Sequence, residues 1–395
     1  MKRKEFIRNS SGILLGSMVA PHLMTQLNSN SVLSIGVIGT GGRGQGIVKL
    51  LNNITGFEVV AVCDILAFRL EEAFDLIKDN KGAKAYSDYR KLLDDKNIDS
   101  VVVATPLNTH DALAVAALDA EKNVYCEKTM AKGVEATNSI VNRCKASNKI
   151  FQTGHQYHSS RMYSQLVEMI WDGKVGKISA IEGQWNRNGN WRRPVPDPKM
   201  ERQINWRMYR EYSYGLLAEL SSHQIDFANW VLKSQPEKVV GFGGINYWKD
   251  GRETYDNTKV IYQFPGGVKA TYTCLTSNAK DDYKLMVMGD KGTLTITYDK
   301  AWFFPEGEYK PEYGEVDGVS GATTNWTQSK GTPLQIDHID PTKQALIDFR
   351  DAILNNKEPN SGVTTGAKAS YAVEMGIQAM DTEKIIHWDN KKFVI

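Results

Sequence analysis

Cysteine is scarce, charge of either sign never accumulates, and no long apolar run is present; each scarcity removes a class of function. The four cysteines in 395 residues, Cys63, Cys126, Cys144 and Cys274, show neither CxxC nor Cys/His metal spacing. They read as buried structural thiols, and neither a disulfide framework nor a metal site is expected. Forty-eight basic residues against 46 acidic leave a net charge of +2, with no block of like charges. The electrostatic footprint of a nucleic-acid binder is therefore missing. No stretch reaches the roughly 18 consecutive apolar residues of a membrane-spanning helix. With 12 prolines, 33 glycines and 41% hydrophobic residues the composition is that of a globular protein, long enough for two or three domains with real cores. A small neutral or polar ligand is the expected partner.

Residues 1–30 stand apart. Lys2, Arg3, Lys4 and Arg8 precede the short apolar stretch Ile13 to Ala20 and a polar run, which is the build of an export signal. Lys2 to Arg8 resembles a twin-arginine motif in which Lys4 takes the place of the second arginine. Export to the periplasm is expected, with an amphipathic helix on a cytoplasmic enzyme as the alternative.

From residue 31 the pattern becomes strand, glycine turn, helix. Leu33 to Ile38 is apolar and β-branched, Gly39-Thr40-Gly41-Gly42-Arg43-Gly44 follows, and Ile47, Leu50 and Leu51 fall at helical spacing. In such a turn the first glycine permits the tight bend, the second admits a pyrophosphate, and the third lets the helix pack closely. A second strand, Phe57 to Cys63, ends in Asp64, an acid placed to accept both ribose hydroxyls of an adenosine; this favours NAD over NADP. Arg69 reads as a surface-helix arginine, with contact to a 2′-phosphate as the alternative. A strand at Ile98 to Ala104 delivers Thr105, Pro106, Asn108 and His110 to the carboxyl edge, and another at Asn123 to Cys126 delivers Glu127, Lys128 and Thr129. Residues 31–151 are thus expected to form a doubly wound parallel sheet, the α/β Rossmann arrangement, with these groups around the dinucleotide.

Residues 152–340 read as a second domain of α+β type. It opens on Gln152-Thr153-Gly154-His155-Gln156-Tyr157-His158 and a helix at Tyr163 to Trp171. Alternating segments near 178–185, 238–247, 259–264, 268–275, 284–288 and 293–298 then predict a large, open, mostly antiparallel sheet. Its free face suits pairing between copies, so a homo-oligomer, dimer or tetramer, is expected. Residues 341–395 supply C-terminal helices, the first packing back on the nucleotide domain. An insertion rich in Trp and Arg carries Trp185, Arg187, Trp191, Arg192, Arg193, Trp206, Arg207 and Tyr209. Aromatic platforms beside hydrogen-bonding groups suit a carbohydrate ring, and an oligomer contact is the competing reading. Glu219, His223 and Asp226 stand at i, i+4 and i+7, so one helix face would let a carboxylate tune the imidazole, making His223 a candidate general base and Lys128 a hydrogen-bond donor to the developing alkoxide.

These motifs together resemble the Gfo/Idh/MocA oxidoreductase family, whose pattern runs GxGxxG, an acid, ATPxxxH, a strand ending in EKP and a DxxxH pair on a helix. Here the matching residues are Gly39, Gly41, Gly44, Asp64, Ala104-Thr105-Pro106 with His110, Glu127-Lys128, and Glu219 with His223. The resemblance implies hydride transfer between bound NAD and a sugar or glycoside carbon, carbon three being one option, with Lys128 and His223 catalytic and Glu219 assisting. From residue type and place in the chain, His155, Tyr157, Arg187, Trp191, Trp206 and Arg207 are expected to line the substrate cleft. Two positions depart from the pattern. Glu219 replaces the aspartate, and Thr129 replaces the proline; a cis peptide bond before Thr129 would cost about 2.5–4 kcal/mol, so a trans bond is expected and with it a different direction for Lys128. The alternatives are a redox-assisted glycoside hydrolase that regenerates its NAD, and a nucleotide-binding protein without catalysis.

Overall fold

The protein is described by a computed structural model over residues 32–307, 331–336 and 339–395. The signal read at residues 1–30 lies outside the described residues. Leu33–Ile395 forms one compact unit built on two sheets.

The first sheet has six strands, β1 (Leu33–Ile38), β2 (Phe57–Cys63), β3 (Lys84–Tyr86), β4 (Ser100–Val103), β5 (Asn123–Cys126) and β6 (Phe151–Thr153), in the order β3-β2-β1-β4-β5-β6. All of its pairings are parallel. All four β4 residues are buried, the consequence of helices covering both faces. Those helices are α1 (Gly42–Leu51), α2 (Ala67–Asp75), α3 (Tyr89–Asp94), α4 (His110–Asp119) and α5 (Val134–Lys145). Because the chain leaves β1 in one direction and returns through β4 on its other side, the loops after β1 and β4 part at the carboxyl edge. Open α/β sheets bind ligands in that crevice.

The boundary differs slightly from the sequence reading. Gln152 and Thr153, assigned above to the second domain, belong to β6. Gln152 is fully buried, and its amide donates to the Ala345 carbonyl at 2.8 Å, so a polar pair that looks like a loop is interior strand.

The second sheet has nine strands in the order β14-β13-β12-β11-β7-β10-β9-β8-β15. They are β7 (Ile178–Trp185), β8 (Lys238–Gly244), β9 (Asn257–Gln263), β10 (Lys269–Leu275), β11 (Tyr283–Gly289), β12 (Gly292–Ile296), β13 (Ala301–Pro305), β14 (Thr332–Leu334) and β15 (Ile386–His387). Only β7 and β10 run parallel. Along β8 and β9 buried residues alternate with exposed ones, so one face meets the helices and the other, carrying Val240, Phe242 and Ile261, is open. Helices α6 (Arg161–Trp171), α8 (Ser222–Val231) and α10 (Val363–Thr382) cover the buried face, while α7 (Glu201–Ile204) lies in the connection between β7 and α8, and α9 (Pro341–Asn355) packs on the first sheet. Ala345, Leu346 and Phe349 of α9 join the core beneath β1 and β2, so this helix does pack back on the nucleotide domain. Among the described residues no helix is long and apolar enough to cross a membrane, and no three His, Cys, Asp or Glu side chains group as a metal site.

Candidate active site

The glycine turn follows β1. Gly39 has φ +88°, and a side chain there would strike the Ala104 carbonyl at 2.7 Å, so only glycine fits. A methyl group on Gly44 would sit 1.9 Å from the Gly39 carbonyl oxygen, which is how closely α1 is drawn onto the turn. Gly41 caps α1 without a side-chain hydrogen bond, leaving the helix's first N–H groups to a ligand.

Asp64 ends β2 and is 9% exposed. Its Oδ2 accepts from the Thr40 amide at 2.7 Å and the Thr40 hydroxyl at 3.2 Å, and its Oδ1 accepts from the Leu66 amide at 2.9 Å. The carboxylate is thus fixed beside the turn with lone pairs to spare. Arg69 is not the surface arginine the sequence suggested: it is half-buried, and its guanidinium lies over the turn, 3.4 Å from where a methyl on Gly41 would stand.

Several residues expected to face a cofactor instead hold the loops together. Arg43 forms an ion pair with Glu127 at 2.7 Å and donates to Thr342 at 3.2 Å, so the two candidate ligands Arg43 and Glu127 satisfy each other and tie the glycine turn to β5. His110 is 2% exposed, with Nδ1 3.0 Å from the Thr129 carbonyl and Nε2 3.0 Å from that of Thr105. Its ring links the loops after β4 and β5 and has no free polar atom to offer. Thr105 accepts from the Thr109 hydroxyl at 2.8 Å, and Pro106 opens the short turn before α4. Asn108 differs: its amide donates to the Tyr212 carbonyl at 3.1 Å, while its side-chain Oδ1 is buried with no partner.

Lys128 and His223 do converge. The Lys128 ammonium donates to the main-chain carbonyl of Glu219 at 2.6 Å. The Lys128–Thr129 peptide is cis, contrary to the expectation drawn from its lacking proline. The Thr129 hydroxyl donates to the Ala218 carbonyl at 3.0 Å, a bond proline has no group to make. Burial lowers the Lys128 pKa against the raising effect of Glu219 and Glu127. Burial, and then the positive charges of Lys128 and Arg43, hold the His223 imidazole well below its usual range, so it is neutral at pH 7. His223 Nδ1 is buried without a partner, and His155, its ring 6.1 Å away, likewise has an unpartnered buried Nε2. Two neutral imidazoles with spare hydrogen-bonding capacity thus share one space beside an ammonium.

The expected Glu219–His223 pair does not form. Leu217–Ser221 is a π-helical turn, whose wider winding breaks the 3.6-residue register that i, i+4 spacing assumes. Glu219 points to Arg207 at 2.8 Å and Ser213 at 2.9 Å. Burial favours its neutral form, but Arg207 and Lys128 outweigh that and lower its pKa. Glu219 is therefore a positioning residue: its carbonyl seats Lys128 and its carboxylate anchors the insertion through Arg207. Asp226 pairs instead with His158 at 2.9 Å, on a ring stacked over Trp230.

Around this space Tyr157 stacks between Tyr163, at 4.0 Å, and His223, at 4.8 Å, and Trp185 lies 6.0 Å from His223. Arg187 sits over both Trp185 and Trp191, its Nε buried without a partner. Trp206 stacks under Arg207, whose charge is committed to Glu219, so these two support the wall rather than offer free donors. The sequence reading passed over Ser213 and placed Arg193 in the insertion with no role of its own, because residue type alone gives no signal.

Comparison with known proteins places this geometry. A family model described as an oxidoreductase family, NAD-binding Rossmann fold matches residues 33–155, and one described as the GFO/IDH/MocA C-terminal domain matches residues 163–295. An inositol 2-dehydrogenase of Salmonella typhimurium is 31% identical over 209 residues, 52% of this chain and 56% of that protein. The matched region thus spans little more than half the length of this curated relative. A 2,7-anhydro-N-acetylneuraminate hydratase of Mediterraneibacter gnavus is 26% identical over 266 residues, 66% of each chain. A levoglucosan dehydrogenase solved with NADH and levoglucosan superposes with TM-score 0.73 at 17% identity, covering 90% of this chain and 99% of that one, a likeness of fold.

Proposed function

Because the chain belongs to the Gfo/Idh/MocA oxidoreductase family and carries its NAD-binding Rossmann domain, we propose that it transfers hydride between NAD and a hydroxyl-bearing carbon of a sugar, polyol or glycoside. The residues present fit the dinucleotide. The glycine turn excludes side chains, α1 begins uncapped, Asp64 is fixed at the end of β2, and the buried Asn108 Oδ1 lacks a partner. Gly39, Gly41, Gly42 and Gly44 would hold the pyrophosphate, and Asp64 the adenosine ribose. NAD bound there supplies the hydride acceptor.

The observation that carries the reading is the neutral, unpartnered His223 beside Lys128. A buried imidazole with a free nitrogen accepts a proton from a hydroxyl without first losing one to water. The Lys128 ammonium, seated on the Glu219 carbonyl, donates to the substrate oxygen and stabilises the charge that grows there. His155 offers a second buried nitrogen to a neighbouring hydroxyl, and Trp185, Trp191 and Arg187 suit a sugar ring's apolar face and hydroxyl rim. The test is absorbance at 340 nm with NAD and a panel of inositols, anhydrosugars, glucosides and galactosides. A substrate-dependent rise is expected, and no turnover of any of them, with or without net NADH, would overturn the reading.

A second reading is a redox-neutral reaction in which hydride is returned each turnover. The similarity to a hydratase, an enzyme whose product differs from its substrate by water alone, favours keeping it. Product formation without net NADH separates the two. On the same reading the protein is exported through residues 1–30 and forms a homo-oligomer through the open sheet face at Val240, Phe242 and Ile261, checked by fractionation of cells and by light scattering.

Cofactor choice has its own test. Replacing Asp64 with alanine removes a buried acceptor, and charge-assisted hydrogen bonds contribute about 1.5–3 kcal/mol. The NAD-over-NADP preference, read by fluorescence titration with each reduced nucleotide, is expected to fall by about 10- to 100-fold. An unchanged ratio would remove Asp64 from cofactor recognition.

A further inference from the structure

Six arginines crowd the insertion between β7 and α8; four have carboxylate partners, and Arg187 is stacked on Trp185 and Trp191. Arg192 pairs with Glu201 and Asp250, Arg202 with Glu211 and Glu253, Arg207 with Glu219, and Arg210 with Asp381. Arg193 has no such partner among the described residues. Its backbone is nevertheless fixed: the Arg193 amide donates to Asn205 Oδ1 at 2.7 Å, and Asn205 Nδ2 donates back to the Arg193 carbonyl at 3.0 Å. Asn205 is itself 3% exposed and held by Glu201 at 2.9 Å. The guanidinium aimed from this anchor crosses to the other domain, where a methyl on Gly42 would meet Arg193 Nη1 at 3.3 Å and Nη2 at 3.7 Å. Arg69 reaches the adjacent Gly41, its Nη1 3.4 Å from where a methyl there would stand.

Two guanidiniums therefore converge on one glycine turn, over an uncapped helix N-terminus with no acidic residue in its first turn. Like charges held this close repel unless an anion lies between them. We propose that Arg193 is a strap closed over the cofactor's pyrophosphate, gripping it jointly with Arg69 and the start of α1, so that the nucleotide is retained between turnovers. The inference rests on the NAD reading above and deepens it: the insertion is a cofactor clamp as well as a wall of the substrate cleft. The second tie between insertion and nucleotide loop, Asn108 N–H to the Tyr212 carbonyl, keeps the strap closed at its far end. Slow release would leave the protein dependent on a second half-reaction in the same site, the behaviour that distinguishes redox-neutral turnover from net dehydrogenation.

The test measures release itself. Full-length protein is loaded with NADH, and dissociation is followed by loss of bound-NADH fluorescence on mixing with excess NAD, in wild type, Arg193→Ala, Arg193→Lys and the exposed-site control Arg161→Ala. Nucleotide content after extended dialysis is read by acid extraction. Release from Arg193→Ala is expected to accelerate about 10- to 100-fold, the loss of a charge-assisted phosphate contact. Arg193→Lys should fall between, and the control should match wild type. Added salt should speed release more from wild type than from Arg193→Ala. Equal release from wild type and Arg193→Ala with NADH bound by both would overturn the strap while leaving the NAD reading intact. Failure of wild type to take up NADH would overturn the NAD reading and the strap with it. If Arg193→Ala does not fold, the salt dependence in wild type and the Arg193→Lys rate decide: an insensitive release rate overturns the proposal.

Discussion

Replacing His223 with alanine is expected to lower kcat/KM for the oxidised substrate by about 10²- to 10⁴-fold, the range that a positioned general base supplies. Binding of NADH should be unchanged, because the ring lies on the substrate side, among Tyr157, Trp185 and His155. The pH profile adds a signature that misfolding would not produce. Burial first, then the charge on Lys128 and Arg43, depresses the imidazole's pKa, so its proton-accepting form persists below pH 6.5. The acidic limb of kcat/KM for wild type should fall below that value and vanish in His223→Ala. Lys128, whose pKa burial lowers from 10.5, should place the alkaline limb below that value. A wild-type acidic limb at or above pH 6.5, or full activity in the alanine variant, would remove His223 from the base role.

The parts of this site that local chemistry dictates were legible in the sequence. A turn that must bend at positive φ and admit a backbone as close as that of Gly39 and Gly44 tolerates only glycine, so its residues announce it. Asp64, Asn108 and Lys128 followed from strand ends, because a parallel sheet sends every such end to one edge, and His223 from its place on a helix. The short strands β13, β14 and β15 went unread: five, three and two residues form a strand only because a neighbouring strand is already there to pair with.

Side-chain partnerships were much less legible. Helical spacing paired Glu219 with His223, yet the π turn displaces the register by its extra residue per turn. Carbonyls there take donors from outside the helix, Ala218 from Thr129 and Glu219 from Lys128, while Ser222 on the next turn also donates to Ala218. Nothing in residues 217–223 encodes donors that lie about 90 residues earlier. For the same reason the threonine that departs from the family's proline reads as a defect in sequence and as a hydrogen-bond donor in structure. Arg69 and Arg193 were indistinguishable from other arginines until the fold showed which lacked carboxylates and where each pointed.

A methyl group added at Gly44 is expected to damage both folding and cofactor binding, more than any other single-atom change at the turn. It would stand 1.9 Å from the Gly39 carbonyl oxygen and 3.0 Å from its carbon, backbone atoms that no rotamer change can move aside. Gly39 has little room to retreat, since Ala104 and Thr105 at the end of β4 already fill the space where its own side chain would stand. The strain must therefore tilt α1 away from β1, lifting Val48 and Leu51 from a core in which both are fully buried. Overpacking of this kind costs about 1–3 kcal/mol, a loss that thermal or denaturant unfolding of Gly44→Ala would register. The same tilt carries the helix's free N–H groups off the pyrophosphate, so NADH affinity by fluorescence titration should fall at least about tenfold, or about 1.4 kcal/mol. Gly46→Ala is the matched control, on the same helix with nothing within 4 Å of the added methyl, where a slight gain in stability is expected. Equal behaviour of the two variants would mean that α1 does not depend on the close approach at Gly44 for its grip on the dinucleotide.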